Sequence, residues 1–89
     1  MSTEHHLDAN AAAGPFAEAL GIDVSTAMVT CGTCGHDGPF AEPHLYVHGT
    51  GYVVRCVKCQ EVTARLMRTP TEVRLDLRGA RSWRLPTPT

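Results

Sequence analysis

The chain has 89 residues, of which 43% are hydrophobic and 19% charged, and its formal net charge is −1. This length predicts one small domain, and domains of this size often need a metal ion or disulfides to supplement a limited core. The apolar content argues against a chain that is disordered throughout. The sequence contains no run of about 18 apolar residues, which argues against a transmembrane helix.

The N-terminal segment predicts two short helices. Alanine-rich residues 9–13 favour a first helix that Asp8 can cap, and Gly14-Pro15 is expected to interrupt it. A second helix is predicted over residues 15–20, with Gly21 as its C-terminal cap.

The second helix has an apolar face. Phe16 and Leu20 are four residues apart, so they lie on the same side and are expected to pack against the rest of the protein. We therefore assign residues 1–21 to an N-terminal helical arm packed on the main domain.

The middle of the chain predicts strands. Residues 22–30 alternate and are rich in β-branched side chains, which indicates an extended segment. Residues 39–47 predict a strand broken at Pro43, and after a reversal at residues 48–51 a returning strand covers 52–55. The spacer between the two cysteine pairs is thus expected to form a β-hairpin.

Three further strands are predicted in the last third of the chain. The first covers residues 62–68, and the second covers 72–78, where apolar and charged residues alternate most regularly. Gly79-Ala80 has the composition of a two-residue type II′ turn, so the strand at 81–85 is expected to pair back on its predecessor. The main domain would then span residues 22–85, followed by a flexible tail at 86–89.

All four cysteines fall in two C-x-x-C pairs, and the second pair begins 22 residues after the first one ends. Two such turns can direct four thiolates at one point, which is the tetrahedral shell that Zn²⁺ accepts. We therefore predict one structural zinc ion, and we expect Gly32 and Gly35 to allow positive φ in the first turn. The predicted ligands are Cys31, Cys34, Cys56 and Cys59.

Other uses of these cysteines stay open. Two disulfides are less favoured, because the N-terminus lacks the features of a secretory signal and cytosolic thiols stay reduced. A redox-active dithiol is less favoured, because two C-x-x-C pairs beside hairpin-like segments favour a metal. Iron in a rubredoxin-like site is allowed by the thiolate ligands. His36 could donate a hydrogen bond to a sulfur, and His44 or His48 could replace one cysteine as a ligand.

The charges are distributed unevenly. Residues 1–51 contain six acids and no lysine or arginine, whereas residues 52–89 contain eight basic residues and three acids, a balance of 8 − 3 = +5. The two halves could pair with each other within one chain or between two copies, or the basic half could contact a polyanion or a protein partner. The candidate residues for such a face are Lys58, Arg65, Arg74, Arg78, Arg81 and Arg84.

The cysteine pairs and their flanking strands resemble the zinc-ribbon superfamily. The run from Leu7 to Pro15, the turn at Arg68-Thr69-Pro70 and the run from Leu75 to Gly79 further resemble a family of small bacterial proteins of unknown function. This resemblance implies a ribbon with four cysteine ligands and supplies no activity. The expected fold is therefore small and mainly β, a zinc ribbon with two knuckles on β-hairpins, C-terminal antiparallel strands and a short helical arm.

No catalytic signature is visible in the sequence. Four cysteines would close the metal shell to water, and neither a nucleophile elbow nor a phosphate-binding glycine loop is present. We expect a cytoplasmic, non-catalytic protein-interaction or assembly module, without a membrane or a small-molecule substrate. The alternative is a nucleic-acid- or ribosome-associated module that uses the arginine-rich strands, and a third possibility is an iron electron carrier.

Overall fold

The structure is a computed structural model that describes residues 7–87. It contains one 3₁₀ helix at Ala9–Ala12 and one α-helix, α1, at Ala13–Leu20. The eight strands are β1 (Leu7–Asp8), β2 (Met28–Cys31), β3 (Asp37–Pro39), β4 (His44–His48), β5 (Gly51–Arg55), β6 (Val62–Arg68), β7 (Val73–Asp76) and β8 (Ala80–Arg84).

The strands form two antiparallel sheets. The larger sheet has the strand order β1-β4-β5-β6-β7, and the smaller one has the order β3-β2-β8. The expectation of a small mainly-β protein with a short N-terminal helix is confirmed. No helix within residues 7–87 is long and apolar enough to cross a membrane.

The prediction that the last strand pairs back on its predecessor is wrong. β7 pairs only with β6, and β8 pairs with β2 in the other sheet, where Trp83 lies opposite Val29. β7 is also shorter than expected, because the Asp76 carboxylate accepts a hydrogen bond from the Arg78 N–H at 3.0 Å and turns the chain. The chain therefore crosses between the sheets at residues 77–79 instead of making a tight hairpin.

The prediction for the spacer between the cysteine pairs is correct in part. The break at Pro43 occurs, and β4 and β5 form the expected hairpin around Gly49-Thr50. Before the break, however, only Pro39 is in a strand, as the last residue of β3, and residues 40–43 form a turn. β3 pairs with β2 in the smaller sheet. The spacer thus contributes to both sheets and is more than one hairpin.

The extended segment predicted at residues 22–30 is also shorter in the structure, where only β2 is a strand. The Asp23 carboxylate accepts hydrogen bonds from the Ser25 N–H and hydroxyl at 2.9 and 2.8 Å, which holds a local turn. Such side-chain bonds compete with strand pairing.

The N-terminal helices differ from expectation at their junction. Gly14 and Pro15 lie inside α1 and do not interrupt it, because the first-turn N–H groups of a helix have no internal partner and Pro is tolerated there. Gly21 caps α1 in the left-handed conformation, as predicted. The predicted cap by Asp8 depends on a side chain that lies outside the described part of the structure. Residues 1–6 of the predicted arm and residues 88–89 of the predicted tail lie outside it as well.

The core is one cluster to which both sheets and α1 contribute. Phe16 from α1 is fully buried, and the centroid of its ring lies 5.5 Å from the ring centroid of Phe40 and 6.4 Å from that of Trp83. The larger sheet contributes Leu45 and Leu66, both nearly inaccessible. The predicted packing of Phe16 and Leu20 on the strands is confirmed, whereas the division of the chain at residue 22 stays a prediction.

Candidate metal centre

The structure brings the four cysteines together at one end of both sheets. Cys31 and Cys34 belong to the turn that joins β2 to β3, and Cys56 and Cys59 to the turn that joins β5 to β6. The four Sγ atoms all lie within 4.8 Å of one another. Each pair thus occupies the connection of an antiparallel hairpin, and the two connections face each other.

The sulfur distances fit a metal shell and exclude disulfides. Sγ of Cys31 lies 3.7 Å from Sγ of Cys59, and Sγ of Cys34 lies 3.7 Å from Sγ of Cys56. A disulfide would bring two sulfurs to about 2.05 Å. A regular tetrahedron with metal–sulfur bonds of about 2.3 Å has edges of about 3.8 Å. The cysteines are free thiols that can hold a metal ion.

The two turns have the same hydrogen-bond pattern. The N–H of Thr33 donates to Sγ of Cys31 at 3.4 Å, and the N–H of Lys58 donates to Sγ of Cys56 at 3.3 Å. The first cysteine of each pair also donates its N–H to the carbonyl five residues later, at 2.8 and 2.9 Å. Donors aimed at a sulfur stabilise the thiolate. Both turns therefore direct a backbone N–H at the sulfur of their first cysteine.

Each turn ends on a residue in the left-handed conformation. Gly35 has φ of 79°, as expected, but the equivalent residue of the second turn is Gln60, with φ of 67°. Sequence reasoning missed Gln60 because glutamine carries no preference for this region. Only the alignment of the two C-x-x-C pairs would have indicated it.

The expectation of positive φ at Gly32 is wrong, and a glycine is needed at this position for a different reason. Its φ is ordinary, but a Cβ at this position would lie 2.9 Å from the carbonyl oxygen of Gly79. The N–H of Gly32 donates to that same oxygen at 2.8 Å. The crossing between β7 and β8 therefore lies directly against the first cysteine turn.

Gly79 is also in close contact with the strand that follows the second cysteine turn. A Cβ at Gly79 would lie 1.9 Å from the Val62 carbonyl oxygen and 2.7 Å from Cα of Thr63. Its φ is not positive, so the predicted type II′ turn is wrong. Only a residue without a side chain fits between the two cysteine hairpins.

Without a bound cation, the pKa values of the Cys31 and Cys59 thiols are shifted in opposite directions. Burial acts to raise the pKa of Cys31, but the N–H groups of Cys34 and Thr33 and the neighbouring thiols outweigh it and lower the pKa to about 7. The Glu61 N–H acts to lower the pKa of Cys59, but burial and the other thiols raise it to about 12. Cys59 therefore becomes a thiolate near neutral pH only with the help of a positive charge, which a bound metal ion would supply.

The three histidines among the described residues lie outside the sulfur cluster. Nε2 of His36 is 2.7 Å from Oε1 of Glu42, so this ring is directed at a carboxylate and not at a sulfur. Nδ1 of His44 lies 3.4 Å from Nε2 of Gln60, and His48 is exposed at the end of β4. Among the described residues, the metal-binding group consists of the four cysteines alone.

The candidate basic residues lie in three places. Arg65, Arg74 and Arg78 line one open cleft along β6 and β7. Arg81 and Arg84 belong to β8 in the smaller sheet, and Lys58 lies in the second cysteine turn. The structure therefore brings together three of the six candidate residues.

Two of these arginines form bidentate ion pairs with acids. Arg84 donates two hydrogen bonds to Asp37, at 3.0 and 2.8 Å, and this lowers the pKa of Asp37 to about 2, helped by the Thr30 hydroxyl. Arg78 does the same to Asp76, at 3.0 and 2.8 Å, and lowers its pKa. Arg68 also contacts Glu18 of α1. The acidic and basic halves therefore pair in part within one chain, at Arg84–Asp37 and Arg68–Glu18.

The comparisons with known proteins identify a family but no activity. Searches of the curated proteins and of the solved structures found no match. A model described as a family of unknown function, DUF6510, matches residues 3–88. That range covers nearly the whole chain, including both cysteine pairs, and the chain therefore belongs to the DUF6510 family of unknown function.

Proposed function

We propose that this protein is a non-catalytic zinc ribbon in which one structural Zn²⁺, held by Cys31, Cys34, Cys56 and Cys59, joins two hairpins. The observation that carries this proposal is the pair of matched hairpin turns, between which two sulfur–sulfur distances of 3.7 Å lie close to the edge length of a tetrahedral shell. Four thiolates leave no open position for water, so the ion would act on folding and not on hydrolysis. Free thiols of this kind fit a reducing compartment such as the cytoplasm.

Metal analysis of the purified protein tests the centre. We expect about one zinc per chain and a colourless solution, because Zn²⁺ has a filled d shell and an iron–thiolate centre absorbs visible light. Substitution by Co²⁺ should produce the visible bands of a tetrahedral thiolate site, and the Cys34→Ser variant should lose them. About one iron per chain and a red solution would show that the metal is iron and not zinc. The absence of a stoichiometric metal would refute the metal centre.

For the molecule as a whole, we propose the role of a small protein-interaction or assembly module. The described surface supports this role better than phosphate binding, because only three of the six candidate basic residues share a cleft. Two of the six are bonded to carboxylates in bidentate pairs. The aromatic rings that could stack on bases are engaged too, since Phe16, Phe40 and Trp83 pack on each other and Arg55 covers Tyr46.

A capture experiment separates the module from the nucleic-acid alternative. Tagged protein is used in native-host lysate with and without nuclease, and bound material is eluted on a salt gradient. We expect a discrete protein that survives nuclease treatment. Release of nucleic acid or ribosomes by nuclease, with the steep salt dependence of phosphate contacts, would favour the alternative.

A further inference from the structure

The open cleft along β6 and β7 is distinct from the metal centre. It has a volume of about 480 Å³. Its lining, called here the β7 cleft, consists of Arg65, Met67, Arg74, Leu75, Asp76, Leu77 and Arg78. The lining thus combines three arginines with one aspartate and three apolar side chains.

β7 is the last strand of the larger sheet. It pairs with β6 on one side, and no strand of the described chain pairs with it on the other. Val73 on this strand and Met67 on its neighbour are 49% and 48% exposed. An unpaired edge offers backbone N–H and C=O groups that an extended peptide can use to add a strand.

The polar side chains of the β7 cleft give it a positive charge. Arg65 lies directly opposite Asp76, and Arg74 lies opposite Met67, so these four side chains are on one face. Asp76 is already bonded to Arg78. Arg74 has only a distant contact of 3.7 Å with Glu72, which lies outside the cleft. Asp76 also attracts Arg65, but three arginines against one aspartate leave the β7 cleft with a net positive charge that can attract a negatively charged ligand.

From this combination we infer that the β7 cleft binds an extended, acidic peptide segment of a partner protein, which adds to the free edge of β7. Alternate carboxylate side chains would lie on the face of Arg65 and Arg74, beside Met67, while the others would lie on the opposite face against Leu75. A second copy of the chain fits poorly, because its own β7 cleft carries the same positive charge. Nucleic acid fits less well, because no aromatic side chain lines the groove to stack on bases.

This inference rests on the proposed role as an interaction module and specifies its surface. The test uses the full chain with its metal bound and a short synthetic peptide of alternating Glu and Val. Three matched probes accompany it: the same peptide with Lys in place of Glu, a version methylated at alternate backbone nitrogens, and an oligo-dT strand. Binding is followed by amide chemical shifts and by fluorescence anisotropy.

We expect the acidic peptide to shift amides of β6 and β7 and the Lys peptide to have no effect. The R65E/R74E double variant should bind at least about tenfold more weakly, since two attractions become repulsions at exposed sites. R81E, the same charge reversal on β8, should stay within about twofold and serves as the matched control. Backbone methylation should weaken binding because it removes ladder hydrogen bonds.

Several results would overturn the inference. No shift with up to about 1 mM peptide, equal binding by R65E/R74E, equal binding of the methylated peptide, or preference for oligo-dT would each do so. The same double variant separates this failure from failure of the module itself. If R65E/R74E captures the same lysate protein as wild type, the proposed interaction module is kept and the β7 cleft is not its binding surface. If wild type captures no protein, the proposed module is refuted.

Discussion

Removing the proposed metal ion is expected to unfold the region where the two cysteine hairpins meet. A structural zinc contributes about 10 kcal/mol of folding free energy near neutral pH, against a typical total stability of about 5–15 kcal/mol. The smaller sheet has strands of only four, three and five residues, so it has little pairing of its own to resist this loss. We expect β2, β3 and β8 to lose amide protection first.

Trp83 provides the readout, because it is the single tryptophan and lies on β8 against the rings of Phe16 and Phe40. A chelator should shift its emission to longer wavelength and abolish near-ultraviolet circular dichroism, and added Zn²⁺ should restore both. Unchanged spectra, with the metal shown to be gone, would contradict a structural role.

The Cys34→Ser variant tests the same point without a chelator. Cys34 is exposed, so its replacement removes little packing and any large loss of stability reports the metal shell. Thr33→Ser is the matched control, because Thr33 is also exposed and its N–H, which donates to Sγ of Cys31, is retained. Thr33→Ser should change the free energy of unfolding by less than about 0.5 kcal/mol.

Gly79→Ala is expected to be the most damaging substitution outside the cysteines. The added Cβ would lie 1.9 Å from the Val62 carbonyl oxygen, and both groups are backbone atoms that no side-chain rotation can separate. Overpacking of this kind costs about 3 kcal/mol. Each 1 kcal/mol lowers the melting temperature of a domain this size by about 4–8 °C.

The metal centre should be affected as well. Displacement of Gly79 breaks the hydrogen bond from the Gly32 N–H to the Gly79 oxygen, which steadies the first cysteine turn. We therefore expect weaker zinc affinity in competition with a colorimetric chelator. Wild-type affinity together with a melting temperature within a few degrees of wild type would show that the chain can relax around the methyl group.

Gly14→Ala is the matched control and should act in the opposite direction. Gly14 lies in α1, and a Cβ at this position would contact nothing within 4 Å. Alanine is favoured over glycine in a helix by about 0.5–1 kcal/mol. The same substitution should therefore raise the melting temperature at residue 14 and lower it at residue 79.

The features that sequence predicted best depend on neighbouring residues. The sequence predicts the first and last residues of β6, the β4–β5 hairpin with its turn, and Gly21 as the cap of α1. The convergence of the cysteines also follows from local rules, because each C-x-x-C pair folds as one turn and a hairpin connection places the turn at the end of the sheet.

The features that sequence missed depend on distant residues. The alternation in residues 81–85 predicts a strand but not its neighbour. β8 pairs with β2, whose residues are 49 to 56 positions away, because that places Trp83 against Phe16 and Phe40. Gly79 looked like a turn residue because composition cannot show that two hairpins approach it from opposite sides.

By itself, the sequence thus determined the strand-rich character, the helix cap and the four residues able to hold a metal, since spacing and alternation act within a few residues. Only the tertiary structure decided which strands are neighbours, that Arg84 binds the Asp37 carboxylate, and that Arg65 and Arg74 line a cleft beside a free edge. The physical reason is that sheet partners and charge pairs are chosen by burial of side chains far apart in the chain, which no local pattern encodes.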